Sequence, residues 1–271
     1  MPDDSKNRAL NLRAAALAAL QLHETAEKCA AASALPGDVG AVDSTQRFAE
    51  PENLPCRPQR PELFAVLKRP QRSVHTVDGR AGLLHALAHI ELNAVDLALD
   101  IVWRFPCMPE QFYLDWAIVA QEEARHFELL TAHMATLGYA YGDFPAHNGL
   151  WDMAEKTRGD LLARLAIVPR TLEARGLDAS PPVRDKLLSA GDRRGAEILS
   201  IILHDEIGHV ATGNRWYRWL CHERGLDPLA AYRALALQYA VPRQRGPFNL
   251  SARRAAGFDE DELRALGSQP G

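Results

Sequence analysis

Apolar residues recur three and four positions apart along four stretches of this 271-residue chain, the spacing of one buried face of an α-helix. The first stretch predicts a helix from about Asp78 to Arg104, with Leu84, Leu87, Val95, Ala98 and Val102 on its apolar face, stopping before Pro106 and Pro109. The second runs from about Pro109 to Leu137, carries Trp116, Val119, Phe127, Leu130, Met134 and Leu137, and stops at Gly138. The third runs from about Leu150 to Arg175, with Gly176 as its C-terminal stop and a kink at Pro169. Residues 181–190 add a short helix. The fourth runs from about Asp192 to Glu223, aligns Ile198, Ile202, Gly213, Trp216 and Leu220, and ends at Gly225. No segment reads as a strand, so the expected class is all-α.

The flanks differ. Residues 5–35 are rich in Ala, Leu, Lys and Glu and predict an N-terminal helix. Pro36, Pro51, Pro55, Pro58, Pro61 and Pro70 then interrupt any helix, which predicts an irregular arm laid along the surface of the later helices. After Gly225 come a helix near 228–240, an irregular basic segment from Val241 to Arg254 and a short helical tail. The expected division is an N-terminal helix and arm (1–75), a four-helix bundle (76–225) and a C-terminal extension packed on it (226–271).

Three of the apolar stripes are broken by polar residues. Glu91 interrupts the first, Glu123 and His126 the second, and Glu206 and His209 the fourth. A carboxylate on an apolar face costs several kcal/mol unless its charge is compensated. Two divalent metal ions would compensate all five residues at once. Glu123–His126 and Glu206–His209 are both Glu-x-x-His, and side chains at i and i+3 are neighbours on one helix face. Carboxylate with imidazole suits iron or manganese better than metals that favour thiolate. Ferritin-like dimetal bundles use a Glu from each of two helices and a Glu-x-x-His from each of two others.

The remaining lone glutamate has three candidates, Glu155, Glu173 and Glu197. Glu197 lies nine residues before Glu206, which turns it through roughly 900° onto the opposite face and about 13 Å along the axis. Glu173 is preferred by spacing: the interval from Glu173 to Glu206 matches that from Glu91 to Glu123 to within a single position. An acid also stands just before each motif glutamate, Glu122 and Asp205, placed to accept the free ring N–H of a metal-bound histidine.

Composition narrows the reading without redirecting it. With 47% hydrophobic residues, 24% charged residues and a net charge of −4, nothing suggests bulk attraction to nucleic acid or to an anionic membrane. Cys29, Cys56, Cys107 and Cys221 form no CxxC pair and read as buried or incidental thiols. No secretory signal and no run of the ~20 apolar residues needed to span a bilayer is seen, so a cytoplasmic location is expected.

Six stretches resemble a family of bacterial ferritin-like proteins classed as a domain of unknown function: HALAHIELNAVDLALD (85–100), DWAIVAQEEARHFELL (115–130), YGDFPAHNGLW (141–151), ARLAIVPRTLEARGLD (163–178), HDEIGHVATGNRW (204–216) and PFNLSARRAAGF (247–258). The resemblance implies a four-helix ferritin-like fold with a di-iron-type site, and places Glu91, Glu123, His126, Glu173, Glu206 and His209 at its ligand positions. More remotely the chain is similar to the bacterial tRNA hydroxylase and the ubiquinone-pathway hydroxylase. The function expected is that of an O2-dependent di-iron (or di-manganese) oxidoreductase or hydroxylase acting on a small molecule or modified nucleotide. No flavin or nicotinamide motif is present, so a separate electron-donor reductase is expected. The alternatives are a ferroxidase, peroxide scavenger or other metal-handling protein, and a binding module with a structural metal. The arm and the C-terminal extension argue against a storage cage and for a monomer or dimer.

Other chemically able residues have plainer expected roles. His85 and His89 have metal-compatible i, i+4 spacing but lie off the face of Glu91, and read as capping or surface residues. His133 reads as core or supporting, and Tyr113, Trp116 and Trp216 as aromatic core. Arg243, Arg245, Arg253 and Arg254 could meet an anion or RNA, but read first as a solvated or helix-pairing segment. Tyr141, Gly142, Asp143, His147 and Trp151 mark a loop folding over one end of the bundle.

Overall fold

Three of the four predicted long helices form where the apolar periodicity places them. In a computed structural model, which describes residues 11–37, 40–64 and 72–268, α1 spans Leu12–Leu20, α2 Thr25–Ser33, α3 Val77–Arg104, α4 Glu110–Thr136, α5 Gly149–Lys156, α6 Leu161–Ile167, α7 Ala174–Ser189, α8 Arg193–Glu223, α9 Pro228–Gln238, α10 Leu250–Ala255 and α11 Glu260–Ser268. The chain is mostly helical. Two strands of two residues each, β1 Leu63–Phe64 and β2 Ala146–His147, pair in parallel, Leu63 with Ala146 and Phe64 with His147. No helix among the described residues is long and apolar enough to cross a membrane.

Local chemistry sets the ends. Gly138 follows α4 with φ +84° and Gly225 follows α8 with φ +62°, both in the left-handed region that stops a helix cheaply only at glycine. Asp192 accepts from the Gly195 amide at 2.8 Å to open α8. Asp227 does the same for α9 from Ala230 at 2.7 Å, with Pro228 next in line.

The described chain divides into two packed units. The first takes in the chain as far as Phe64 together with Ala81–His147. Here the helix expected over 5–35 proves to be two helices, with a break at Gln21–Glu24, and residues 5–10 of that expectation lie outside the described residues. Leu12, Ala16, Leu20, Cys29 and Ala32 are fully buried. Arg13 is buried too. Its guanidinium donates to the carbonyls of Val102 and Trp103, among those that the last turn of α3 cannot satisfy internally, and to those of Ser44 and Gln46 in the arm. The described part of the arm is irregular up to β1, and is fastened by Lys28 to the Cys56 carbonyl (2.7 Å) and by Arg57 to Asp96.

The second unit comprises 72–80 and 148–268. The long helix expected from Leu150 to Arg175 is instead broken twice. Thr157–Asp160 separates α5 from α6, with Asp160 capping α6 through the Leu162 amide at 2.9 Å. Buried Arg164 ties the two pieces by donating to the Ala154 carbonyl and to Thr157 Oγ1. After Ile167 the chain forms a π-turn, Val168–Glu173. Pro169 has no N–H to give and its ring would strike the carbonyl four residues back. The wider turn accommodates it: the Ala174 amide reaches the Pro169 carbonyl, five residues earlier. The expected stop at Gly176 does not occur either. α7 continues through it to Ser189 and absorbs the short helix expected at 181–190, because Leu177 and Leu187 are both drawn into the core. Ala174, Leu177, Val210, Ala252, Ala256, Phe258 and Leu263 form one buried cluster of that unit.

Gly213 of α8 sets how closely this π-turn packs. A Cβ there would stand 2.7 Å from Pro169 Cβ and 2.8 Å from its Cγ. Gly213→Ala should therefore destabilise the protein by about 1–3 kcal/mol despite alanine's better helix propensity. At Gly208, in the same helix, a Cβ meets nothing, and Gly208→Ala should gain about 0.5–1 kcal/mol. Denaturant midpoints of the two variants shifting in the same direction would refute this account of the π-turn.

Candidate metal centre

α3 and α4 are joined by a short connection, Phe105–Pro109, so they run back along each other as a hairpin. Glu91 on α3 and Glu123 on α4 stand equally far from that connection, which puts them level. His126 is one turn further along α4. All three are buried, Glu91 at 4% exposure and Glu123 and His126 at none. His126 Nδ1 lies 3.2 Å from Glu91 Oε2 and 3.4 Å from Glu123 Oε2. One ligand atom from each of the three residues falls within a 4.8 Å cluster.

Two carboxylates and an imidazole in apolar surroundings cannot all keep their ordinary ionisation. Burial, then the charge of Glu123, push the Glu91 carboxyl up to about 7, against the pull of the hydrogen bond from His126. Burial alone would lower the His126 pKa, but its hydrogen bonds to Glu123 and Glu91 and their charges prevail and raise it to about 11. An imidazolium thus serves as counter-charge between two acids. A divalent cation can take that place, since the deprotonated forms of all three side chains are ligands for the same hard-to-borderline metals.

In the second unit, α8 carries the other Glu-x-x-His pair. Glu206 and His209 are buried at 7% and 1% exposure, and His209 Nδ1 lies 3.9 Å from Glu206 Oε2. Glu173 is the last residue of the π-turn and is half-buried. Among the described residues it joins no cluster of three ligand atoms. Glu122 and Asp205 are half-buried beside the motif glutamates.

His85 and His89 depart from the capping or surface roles expected of them. They are 1% and 4% exposed. His85 Nε2 accepts from the Gly142 amide at 3.0 Å, and its ring stacks on Tyr141 at 5.1 Å. His89 Nε2 sits 3.1 Å from the His147 carbonyl, which only accepts, so that nitrogen carries the proton and Nδ1 accepts from the Tyr141 hydroxyl at 2.7 Å. Both histidines are thus committed to holding the 139–147 loop on α3, and Phe127 closes on Tyr141 from α4. Tyr113, Trp116 and Trp216 are buried as expected. His133 is half-buried on its helix surface beside Thr136.

Three buried polar residues of α3, Asn93, Asp96 and Asp100, are not among those that the interrupted stripes single out. Their signal is nonetheless present: from Glu91 to Trp103 apolar residues cover every side of the helix, which marks one with no solvent face. Of the basic segment, Arg253 is fully buried on Asp178 (2.6 Å) and Arg254 pairs with Glu260 (2.6 Å), the helix-pairing role expected of it.

Comparison with known proteins gives a family and no activity. The family described as "Protein of unknown function (DUF455)" matches residues 13–264. An uncharacterized protein of Haemophilus influenzae is 46% identical over 219 residues, which cover 78% of this chain and 76% of that protein. No solved structure matches.

Proposed function

The chain belongs to this family of unknown function, and we propose that it is a ferritin-like protein holding two iron ions, with manganese as the substitute metal, for O2-dependent oxidation of an organic substrate. On this reading residues 76–225 are a four-helix core, 1–75 its arm and 226–271 its extension. The observation that carries the proposal is the buried convergence of Glu91, Glu123 and His126, two acids and an imidazole gathered where burial penalises charge. Glu206 and His209 repeat the i, i+3 pair on α8. The near-equal intervals along the chain favour Glu173 as the remaining lone glutamate of the set.

The six side chains would hold the metals, Glu91, Glu123 and His126 from one hairpin and Glu173, Glu206 and His209 from the other. Glu122 and Asp205 would orient the histidines by accepting their second ring N–H. Ferrous ions, when bound, supply the electrons and open coordination positions that O2 chemistry requires. The chain's own contribution is to hold the ligands close together on rigid helices, where a bound cation would displace the protons that Glu91 and His126 keep in its absence. Its apolar stripes, among them Val95, Val119, Phe127 and Ile202, keep water from the helix faces that carry the ligands.

Metal analysis of protein purified without chelator, followed by mixing the anaerobically reduced, iron-loaded form with O2, tests the reading. About two irons per chain and a transient absorption band are expected. Asp205→Ala should weaken metal binding by about 10–100-fold. Two metals without any reaction with O2 would point to metal handling or a structural metal. A chain that retains neither iron nor manganese after both are added back would overturn the site itself.

A further inference from the structure

Glu173 is the proposed ligand whose place depends most on its backbone. The other five stand inside long α-helices, whereas Glu173 ends the π-turn. It also joins no cluster of three ligand atoms among the described residues. One contact sets its height. Pro169 packs on Gly213, where a Cβ would stand 2.7 Å from the proline Cβ. α7 and α8 are joined only by residues 190–192 and so run antiparallel. Glu173 lies four residues after Pro169, and His209 four residues before Gly213. On helices running in opposite directions the two therefore stand close to level.

Further contacts around Glu173 come from the chain beyond α8. Thr171 is 1% exposed. Its hydroxyl donates to the Ala166 carbonyl at 2.8 Å, so the Tyr232 hydroxyl of α9, 3.0 Å away, is the donor to it. Gln244 Nε2 donates to the Thr171 carbonyl at 3.0 Å. Gln244 Oε1 in turn accepts from Arg253 of α10, which fixes the way the amide points. Arg253 also reaches the Ala174 carbonyl at 3.3 Å, and Arg170 donates to Glu262 of α11. Thr171 and Ala174, on either side of Glu173, are thus tied to Tyr232, Gln244 and Arg253. Because Thr171 is buried, a bond lost there is not made good by water.

We propose that the C-terminal extension completes the second half of the metal site: Tyr232 and Gln244 are positioning residues that hold Thr171 and thereby set where Glu173 stands relative to Glu206 and His209. The inference rests on the metal reading above. The bonds of Tyr232 and Gln244 fall on Thr171, so they act through the backbone two residues from Glu173. A carboxylate held in place beforehand loses less freedom when a cation arrives, and the cation binds more tightly for it. The first hairpin has no such need. Glu91 lies inside α3, and His126 Nδ1 already stands 3.2 Å from its carboxylate. The effect therefore falls on one metal of the two.

Calorimetric titration of the full chain with manganese tests the proposal. Two ions per chain are expected for the parent, one of them weakened in Glu173→Gln. Tyr232→Phe, which keeps the ring and loses only the hydroxyl, should weaken one ion by about fivefold, and Tyr232→Phe with Gln244→Leu by about tenfold or more, the effect of one and two net hydrogen bonds. The other ion should bind as in the parent. Added to Glu173→Gln, Tyr232→Phe should weaken neither ion further, since both changes act on one carboxylate. Tyr217→Phe is the control. It removes a hydroxyl that donates to the Pro228 carbonyl of α9 at 2.7 Å, away from Thr171, and should leave both ions bound as in the parent. Parent-like binding of both ions by Tyr232→Phe, while Glu173→Gln weakens one, would overturn the proposal and leave the metal reading standing. Equal weakening by Tyr217→Phe would reduce the contacts to general support of the fold and overturn it too. A parent that binds fewer than two ions, or a Glu173→Gln protein that binds both as the parent does, would overturn the metal reading and the proposal with it.

Discussion

Asp96→Ala should cost the protein about 3–5 kcal/mol, the penalty for stripping one partner from a buried ion pair. Asp96 has no solvent exposure and Lys28 has 2%. The ammonium lies 2.6 Å from Asp96 Oδ1, and its second acceptor is the Cys56 carbonyl. Arg57 reaches Asp96 Oδ2 at 3.1 Å and Asn93 Oδ1 at 2.7 Å. Removal of the carboxylate leaves two cations facing each other beneath α2 and the arm. Neutralising the other side at the same time tests the cause. Lys28→Met combined with Asp96→Ala should recover part of the loss, because the buried ammonium is then gone while Arg57 keeps Asn93 Oδ1. Chemical denaturation of both singles and the double gives the coupling energy directly. An Asp96→Ala protein within about 1 kcal/mol of the parent would mean that water or rearrangement already relieves the pair.

That cluster also shows what the sequence could and could not disclose. Helix limits at Arg104, Gly138, Glu223 and Gly225 were legible because local rules set them: a proline, a left-handed glycine, an interrupted apolar stripe. Glu91, Glu123 and His126 were legible because a charge on an apolar face is anomalous in one dimension as well as in three. Asp96 was not, because its compensation comes from Lys28 and Arg57, 68 and 39 residues away, and no local pattern links them. The same holds for His85 and His89, which a helical wheel places off the ligand face, but which become buried under a loop that lies beyond the whole of α4. The break in the third long helix had a legible cause, Pro169, but its form depended on Gly213 admitting the proline ring from a different helix.

The ionisation of the Glu91–Glu123–His126 group should make the metal-free protein less stable as pH rises, and metal should reverse that trend. Glu91 in the folded chain keeps a proton up to about pH 7 that an unfolded glutamate, at 4.5, has released. Stability must therefore fall as pH climbs from 4.5 to 7. The folded His126 holds its proton from its ordinary value of 6.5 up to about 11, so its stabilisation is whole below 6.5 and drains away above it. Both groups act in one direction, each with a limiting slope of about 1.4 kcal/mol per pH unit. A divalent ion competes with those same protons, so its affinity grows over the same range. At a free concentration a hundredfold above Kd it adds about 2.7 kcal/mol. Denaturant midpoints measured at pH 5, 6, 7 and 8, in chelator and in excess manganese, should diverge steadily with pH. Subtracting the Glu91→Gln protein isolates the group from the rest of the titrating surface, and the difference curve in chelator should favour the parent at pH 5 and the variant at pH 8. A flat difference curve would show that the two acids and the histidine do not share a buried proton, and the physical case for a cation between them would go with it.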